Sequence, residues 1–183
     1  MLDKCGLILG EIEEVLNSSS FEQYKDFMES ILNANKIVVL GAGRVGIAMR
    51  GFSMRLNHLG LKSFFLGDVN VPNTGAGDLL IVGSGSGNTI SVADIVVIAK
   101  RNNLKVVSIT ANLNSLIARE SAQVIVLNCQ TKESSDTQRT SKQPMTTLFE
   151  QCLSLVLDSL ILKLMEAKNE THLSMLERHN RLE

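Results

Sequence analysis

The fold can be predicted from one stretch of the sequence, Leu79-Leu80-Ile81-Val82-Gly83-Ser84-Gly85-Ser86-Gly87-Asn88-Thr89. Its apolar first part is typical of a strand that is buried on both faces, as strands of parallel sheets are. The second part alternates glycines with Ser84 and Ser86 and ends at Thr89. Small residues let backbone N–H groups surround an anion, the hydroxyls can donate hydrogen bonds, and a following helix directs its positive end to the same place. The stretch therefore predicts a strand, a turn that binds a phosphomonoester through Ser84, Gly85, Ser86, Gly87, Asn88 and Thr89, and a helix; a flexible turn without a ligand is the alternative.

A second glycine-rich turn, Gly41-Ala42-Gly43-Arg44-Val45-Gly46, also stands between a predicted strand and a predicted helix. Its G-x-G-x-x-G spacing is that of dinucleotide-binding turns. Those sites also need an acidic residue about 20 positions further on, at the end of the second strand. Asp68 lies beyond the strand predicted at 62–66, so an oxidoreductase that binds a dinucleotide is the weaker interpretation. We expect Gly43, Arg44 and Val45 to contact the substrate beside the phosphate turn.

Short apolar runs alternate with amphipathic stretches along the middle of the chain, which is the pattern of βαβ units. The predicted strands are 36–40, 62–66, 78–82, 105–110 and 123–127, and the predicted helices between them are 45–59, 90–102 and 113–121. This order predicts an α/β fold with a doubly wound, five-stranded parallel sheet between helices, a three-layer sandwich of the flavodoxin type. We divide the single predicted domain into N-terminal helices (1–34), the sheet core (36–128), a polar loop (129–143), and a C-terminal helix with its tail (145–183).

The two ends of the chain are predicted to be helical. Apolar residues recur at helical spacing in two N-terminal stretches, and Ser20 with Gln23 has the spacing of a capping box for the second helix. The stretch from about Met145 to Lys168 is apolar almost all round. A helix of that kind must be covered on most sides, so we expect another helix or a second subunit to pack against it.

Composition excludes several classes of function. The chain has 183 residues, 18 lysines and arginines against 19 aspartates and glutamates, 4% aromatic residues and no tryptophan. Nucleic-acid binders usually carry a basic face, so we expect no nucleic-acid partner. No apolar run approaches the roughly 20 residues of a membrane span, so we expect no membrane association. Three cysteines without C-x-x-C spacing predict reduced thiols in a cytoplasmic protein.

The strand, the GSGSGNT turn and the helix together resemble the sugar isomerase (SIS) domain family of phosphosugar isomerases and phosphosugar-binding modules. Four segments resemble more specifically the 3-hexulose-6-phosphate isomerases within that family, and the similarity extends over essentially the whole chain. These segments are Gly41-Ala42-Gly43-Arg44, Met54-Arg55-Leu56-Asn57-His58-Leu59-Gly60, Gln143-Pro144-Met145-Thr146-Thr147-Leu148-Phe149-Glu150-Gln151 and Arg178-His179-Asn180-Arg181-Leu182-Glu183.

The resemblance implies an enzyme that interconverts D-arabino-3-hexulose 6-phosphate and fructose 6-phosphate, the second step of formaldehyde fixation by the ribulose monophosphate route. It also implies a cytoplasmic homotetramer that needs neither a metal nor another cofactor. The serine-rich turn is implied to bind the phosphate, and Glu150 is implied to accept the proton. Two positions depart from the family pattern, since Val45 replaces a usual serine and Asn88 a usual glutamate. Neither change affects the proposed base.

The residues themselves are compatible with this chemistry. Moving a carbonyl from C3 to C2 removes a proton from C2 and returns one to C3 through an enediol, and a single carboxylate can carry that proton. Glu150 stands near the start of the apolar helix, where an acid that only complements the helix dipole would also be found. Arg44 and His179 are candidates to stabilise the enediol oxygens, and His179 is our second catalytic candidate. Another SIS-type phosphosugar isomerase and a non-catalytic phosphosugar-binding module remain as alternatives.

Overall fold

The structure, a computed structural model, describes residues 1–19, 22–130 and 141–182. Five parallel strands form one sheet in the order β2-β1-β3-β4-β5. The strands are β1 (Ile37–Leu40), β2 (Ser63–Phe65), β3 (Leu79–Ser84), β4 (Lys105–Thr110) and β5 (Gln123–Val126). The helices are α1 (Leu2–Asn17), α2 (Glu22–Leu32), α3 (Gly43–His58), α4 (Ile90–Arg101), α5 (Leu116–Glu120), α6 (Thr147–Lys168) and α7 (His172–Glu177).

Both faces of the sheet are buried, which explains the continuous apolar runs of its central strands. Along β1, Ile37 and Val39 pack into one apolar cluster, whereas Val38 and Leu40 pack into another. This alternation follows from the period of two along a strand. The first cluster contains residues of α1, α2, α3 and α6, and the second contains residues of α4 and α5. The predicted doubly wound sheet between two helical layers is therefore confirmed.

The sheet order places the two glycine-rich turns side by side. The chain leaves β1 through α3 toward β2 at one edge, and it leaves β3 through α4 toward β4 on the other side. Neighbouring strands whose connections diverge in this way open a crevice at their carboxyl ends, where open α/β sheets bind ligands. The turn after β1 and the turn after β3 both border that crevice.

Several predicted boundaries are wrong by a few residues, for local reasons. Strand β3 continues through Ser84, which the sequence analysis assigns to the turn, because Ser84 still pairs with Thr110 of β4. Helix α6 begins at Thr147 rather than near Met145, whose φ of +56° lies in the left-handed region and stops the helix there. Helix α5 begins only at Leu116, after the N-cap Ser115, whose hydroxyl accepts the N–H of Ala118.

Two sequence predictions fall on residues that lie outside the described ranges. Ser20, the first residue of the predicted capping box, is one of them, and residues 131–140 of the predicted polar loop are the other. Within the described residues, no helix combines the length and the apolar character that a membrane crossing requires.

Candidate active site

A cavity of about 360 Å³ opens at the carboxyl ends of β1 and β3. It is bordered by the two glycine-rich turns and by the first turn of α6, so three segments that are distant in sequence meet there. Its lining residues are Ala42, Gly43, Arg44, Val45, Gly83, Ser84, Gly85, Ser86, Thr89, Thr146 and Glu150. Most of the residues that the sequence analysis selects for substrate binding are in this set, together with Glu150.

The serine-rich turn presents hydroxyl groups to the cavity. Oγ of Ser84 accepts the backbone N–H of Gly87 at 3.1 Å, and Oγ of Ser86 accepts that of Asn88 at 3.3 Å. Because both hydroxyls act as acceptors within the turn, each keeps its own proton to donate to a ligand. Thr89 is the N-cap of α4, but its side chain makes no capping hydrogen bond. The turn thus offers hydroxyl donors beside the positive end of a helix.

Gly87 and Asn88 do not line the cavity. They instead help to determine the conformation of the turn. Gly87 has a φ of +67°, and a Cβ atom there would lie 2.0 Å from Oγ of Ser115. Only glycine fits such a position, since other residues rarely adopt this conformation and the space is filled. Oδ1 of Asn88 accepts the backbone N–H of Leu116 at 3.2 Å. Asn88 therefore contacts the start of α5, where its amide caps a helix.

Glu150 is held from two sides, and its side chain is only 13% exposed. Oγ1 of Thr146 donates a hydrogen bond of 3.0 Å to Oε1. Nη1 of Arg44 lies 3.1 Å from Oε2, which forms an ion pair. That pair lacks the alignment of a hydrogen bond, and among the described residues Oε2 has no hydrogen-bond partner. The two carboxylate oxygens are therefore in different environments, and Oε2 keeps its lone pairs unused.

Arg44 connects the first turn with the start of α6. Besides facing Glu150, its Nη1 donates a hydrogen bond of 3.3 Å to Oγ1 of Thr147. The Arg44 side chain remains 59% exposed, so it covers the carboxylate from the solvent side. A guanidinium at this position can either neutralise Glu150 or turn toward an anionic ligand in the cavity.

The structure does not bring His179 to this cavity. Its ring lies against that of His58, with 5.2 Å between the ring centroids. His58 ends α3, whereas Arg44 stands in the first turn of the same helix. At about 1.5 Å per residue, the two ends of α3 are roughly 20 Å apart. Within one protomer, His179 is therefore far from Glu150.

Asp68, the acidic residue that a dinucleotide site would need, does not line the cavity. Asp68 instead forms an ion pair of 2.6 Å with Arg50. Among residues 1–19, 22–130 and 141–182, no group of three or more histidine, cysteine, aspartate and glutamate side chains is placed to hold a metal ion.

Thr146 lines the cavity and contacts the carboxylate of Glu150, but the sequence does not single it out. Ala42 and Gly83 also line the cavity without having been selected, and they contribute little beyond backbone. The spacing in the sequence does contain a signal for Thr146, because the side chain of a threonine can reach that of a glutamate four residues later on a helix. The sequence does not distinguish Thr146 from its neighbour Thr147, which instead donates to the carbonyl of Pro144 at 2.7 Å.

Comparison with known proteins shows which family and which solved structures the chain is similar to. The SIS domain family matches residues 30–157. A 3-hexulose-6-phosphate isomerase of Bacillus subtilis is 36% identical over 176 residues, covering 96% of this chain and 95% of the relative. One of Methanocaldococcus jannaschii is 32% identical over 162 residues, covering 86% and 85%. One similar solved structure is the crystal structure of a Methanococcus jannaschii protein, from which a molecular function of 3-hexulose-6-phosphate isomerase was inferred. It superposes on this chain with a TM-score of 0.85 at 29% identity, over 99% of both chains.

Proposed function

We propose that this chain, a phosphosugar isomerase that belongs to the SIS domain family, interconverts D-arabino-3-hexulose 6-phosphate and fructose 6-phosphate. The relatives named 3-hexulose-6-phosphate isomerase support this choice of substrate, since four of them are at least 30% identical over most of this chain. The reaction would be the second step of formaldehyde fixation by the ribulose monophosphate route.

One observation carries the proposal, namely that Glu150, whose Oε2 accepts no hydrogen bond from the described residues, borders the same cavity as the serine-rich turn. An isomerase of this kind needs an anion site that fixes the phosphate and a base that reaches the carbon skeleton. The turn supplies the first, and Glu150 supplies the second. The ion pair of Glu150 with Arg44 is compatible with an ionised carboxylate, which is the form that accepts a proton.

The proposed reaction moves one proton between two carbons. The carboxylate of Glu150 removes the proton from C2 of the hexulose, and the electrons of that C–H bond form the C2–C3 double bond of an enediol. As that double bond forms, the π electrons of the C3 carbonyl move to O3. Glu150 then returns its proton to C3, and the hydroxyl proton of O2 is transferred to O3, so the C2 carbonyl and the C3 hydroxyl form with no net gain or loss of protons. We assign Oε2 as the accepting oxygen, because Oε1 is engaged by Thr146.

The remaining groups of the cavity position the substrate and stabilise charge. The hydroxyls of Ser84, Ser86 and Thr89 would donate to the phosphate oxygens at the amino end of α4. Arg44 now covers Oε2, so its exposed guanidinium would turn toward the substrate when the sugar enters. There it would stabilise the oxyanion of the enediol, at the point where negative charge develops.

We also propose a cytoplasmic homotetramer. Leucine side chains at 155 and 162 on α6 and at 173 and 176 on α7 are exposed in the single chain, which favours their burial between subunits. In this proposal, His179 takes part in catalysis only if a neighbouring subunit carries it to the cavity, since in its own chain it lies beside His58, at the opposite end of α3 from Arg44. Light scattering of the purified protein should give about 80 kDa, four times the mass of 20.0 kDa of one chain.

A coupled assay tests the function. A hexulose-phosphate synthase forms the substrate from formaldehyde and ribulose 5-phosphate, and fructose 6-phosphate is then measured. We expect turnover without added metal or nucleotide. Faster turnover of arabinose 5-phosphate or sedoheptulose 7-phosphate would assign the chain to another SIS-type isomerase. Thermal stabilisation by these phosphosugars without turnover of any of them would indicate a binding module.

A further inference from the structure

We propose that Thr146 is a positioning residue for Glu150, which it holds through a hydrogen bond to Oε1 at 3.0 Å. The inference rests on the proposed function, because it concerns the orientation of the proposed base. Thr146 acts through Glu150, and nothing in the proposal requires it to contact the reacting carbons.

The backbone conformation around Thr146 leaves its hydroxyl available for the hydrogen bond to Glu150. Thr146 is the N-cap of α6, where a threonine hydroxyl usually accepts a backbone N–H of the first helical turn. Here the side chain makes no capping hydrogen bond, and φ and ψ are −104° and 18°. The carbonyl of Thr146 accepts the N–H of Glu150 at 3.0 Å, while its hydroxyl donates to the carboxylate of the same residue. Two bonds thus join Thr146 to Glu150, one through the backbone and one through the side chains.

The same threonine also contacts the phosphate-binding turn. A Cβ atom on Gly85 would lie 3.3 Å from Cγ2 of Thr146 and 3.3 Å from Cδ1 of Phe149. The methyl group of Thr146 therefore packs closely against the backbone of Gly85. Thr146 consequently fixes the base relative to the turn that would hold the phosphate, and that distance decides whether a bound sugar presents its carbon to the carboxylate.

A carboxylate on a flexible side chain samples several orientations unless its oxygens are held. With Oε1 bound to Thr146 and Oε2 beside Arg44, the carboxylate of Glu150 has a defined orientation. When Arg44 turns toward the substrate, Thr146 is the side chain that still holds the carboxylate. The hydroxyl should therefore affect the chemical step more than substrate binding.

Steady-state kinetics of three variants test this inference. Thr146→Val removes the hydroxyl and keeps the bulk, Thr146→Ser keeps the hydroxyl, and Ser154→Ala is the matched control. Oγ of Ser154 donates a hydrogen bond of 2.9 Å to the backbone carbonyl of Glu150. Ser154→Ala therefore removes a hydroxyl from the same helix without changing the contacts of the Glu150 carboxylate. Each variant is measured with the phosphosugar that the wild type isomerises fastest, and inhibition by inorganic phosphate reports the anion site.

We expect kcat of Thr146→Val to fall about tenfold or more, as loss of a hydrogen bond to a charged group does. KM and inhibition by phosphate should stay within about threefold, Thr146→Ser should restore kcat, and Ser154→Ala should match the wild type. Because Thr146→Val also removes a hydrogen bond to a largely buried carboxylate, the melting temperature should fall by roughly a few degrees, and Thr146→Ser should restore it. Thr146→Ala gives a second test if valine does not fit beside Gly85 and Phe149.

A kcat of Thr146→Val within about threefold of the wild type would overturn the inference, and so would a fall that Thr146→Ser does not restore. If the wild type isomerises hexulose phosphate while Thr146→Val is equally active, only the inference fails. If the wild type isomerises no phosphosugar, the proposed function fails and the inference falls with it.

Discussion

Nε2 of Gln143 donates a hydrogen bond of 3.0 Å to Oε2 of Glu11, although 132 residues separate the two in sequence. The same carboxylate accepts bonds from Oγ of Ser141 at 2.7 Å and from the backbone N–H of Lys142 at 2.8 Å. Glu11 lies on α1, and residues 141–143 lead into the turn that carries Thr146 and Glu150. The N-terminal helix thus anchors the segment that enters the candidate active site.

Replacing Glu11 with glutamine should destabilise the protein in a pH-dependent way. Burial opposes ionisation, but the bonds from Lys142, Ser141 and Gln143 outweigh it and hold the pKa of Glu11 below its ordinary value. A depressed folded pKa contributes stability above the unfolded pKa of about 4.3, and this stability is lost as the pH falls through the folded pKa.

Urea unfolding of wild type and Glu11→Gln should therefore differ by about 1–2 kcal/mol at pH 7, and the difference should shrink below about pH 4. Glu13→Gln, on the same helix, is the control and should match the wild type. A difference between wild type and Glu11→Gln that stays constant from pH 7 to pH 3 would contradict the role of the ionised carboxylate.

Tyr24, the only tyrosine in a chain without tryptophan, gives a direct optical test of the core. Burial raises the pKa of Tyr24 to about 12, with a smaller contribution from Cys152. The native protein thus holds the phenolic proton more tightly than the unfolded chain, whose tyrosine pKa is about 10. The stability that this burial contributes is complete below pH 10 and is lost as the pH rises toward 12.

Absorbance at 295 nm should show one ionisation, with a midpoint near pH 12 in native protein and near pH 10 in urea. A native midpoint at pH 10 would mean that the phenol of Tyr24 is not buried against the apolar cluster that contains Cys152.

The three cysteines should differ sharply in reactivity. Cys5 is exposed, whereas Cys129 and Cys152 are fully buried. The thiols of the two buried cysteines are hydrogen-bonded to each other, and this bond together with burial raises the pKa of Cys129. A buried thiol in apolar surroundings is unreactive, because the thiolate is the nucleophile. An aromatic disulfide reagent should therefore modify one thiol in the native protein and three after unfolding. Rapid reaction of two or three thiols in the native state would contradict the burial of Cys129 and Cys152.

Gly87→Ala should be the most damaging glycine substitution in the serine-rich turn. It combines a left-handed backbone with a Cβ atom 2.0 Å from Oγ of Ser115. Backbone strain and overpacking together should cost about 3 kcal/mol. Gly51→Ala is the control, because Gly51 lies in α3 with nothing within 4 Å of its Cβ position, and alanine there should stabilise the helix by about 0.5–1 kcal/mol. Equal unfolding free energies for the two variants would contradict the described turn.

The sequence predicts those features of the fold and of the site that depend on local patterns. Continuous apolar runs such as Ile37–Leu40 identify buried strands, and two glycine-rich turns identify the carboxyl edge, so the sheet and the position of the cavity follow. Contacts between distant segments leave no periodic signal, and for that reason the bond between Glu11 and Gln143 is missed. Thr146 is missed because a single threonine at a helix start is typical of a cap. The position of His179 depends on how the tail folds against His58, which spacing does not determine.

Glu150 is the proposed proton carrier of this phosphosugar isomerase, and the measurement on which that role depends is kcat of Glu150→Gln for hexulose phosphate. Glutamine keeps the shape of the side chain but cannot accept the proton. Asp158→Asn is the matched control, because Asp158 stands two turns further along α6 and does not line the cavity. We expect kcat of Glu150→Gln to fall at least about a hundredfold, with inhibition by phosphate retained and Asp158→Asn unaffected. A Glu150→Gln enzyme whose kcat stays within about threefold of the wild type would contradict this role.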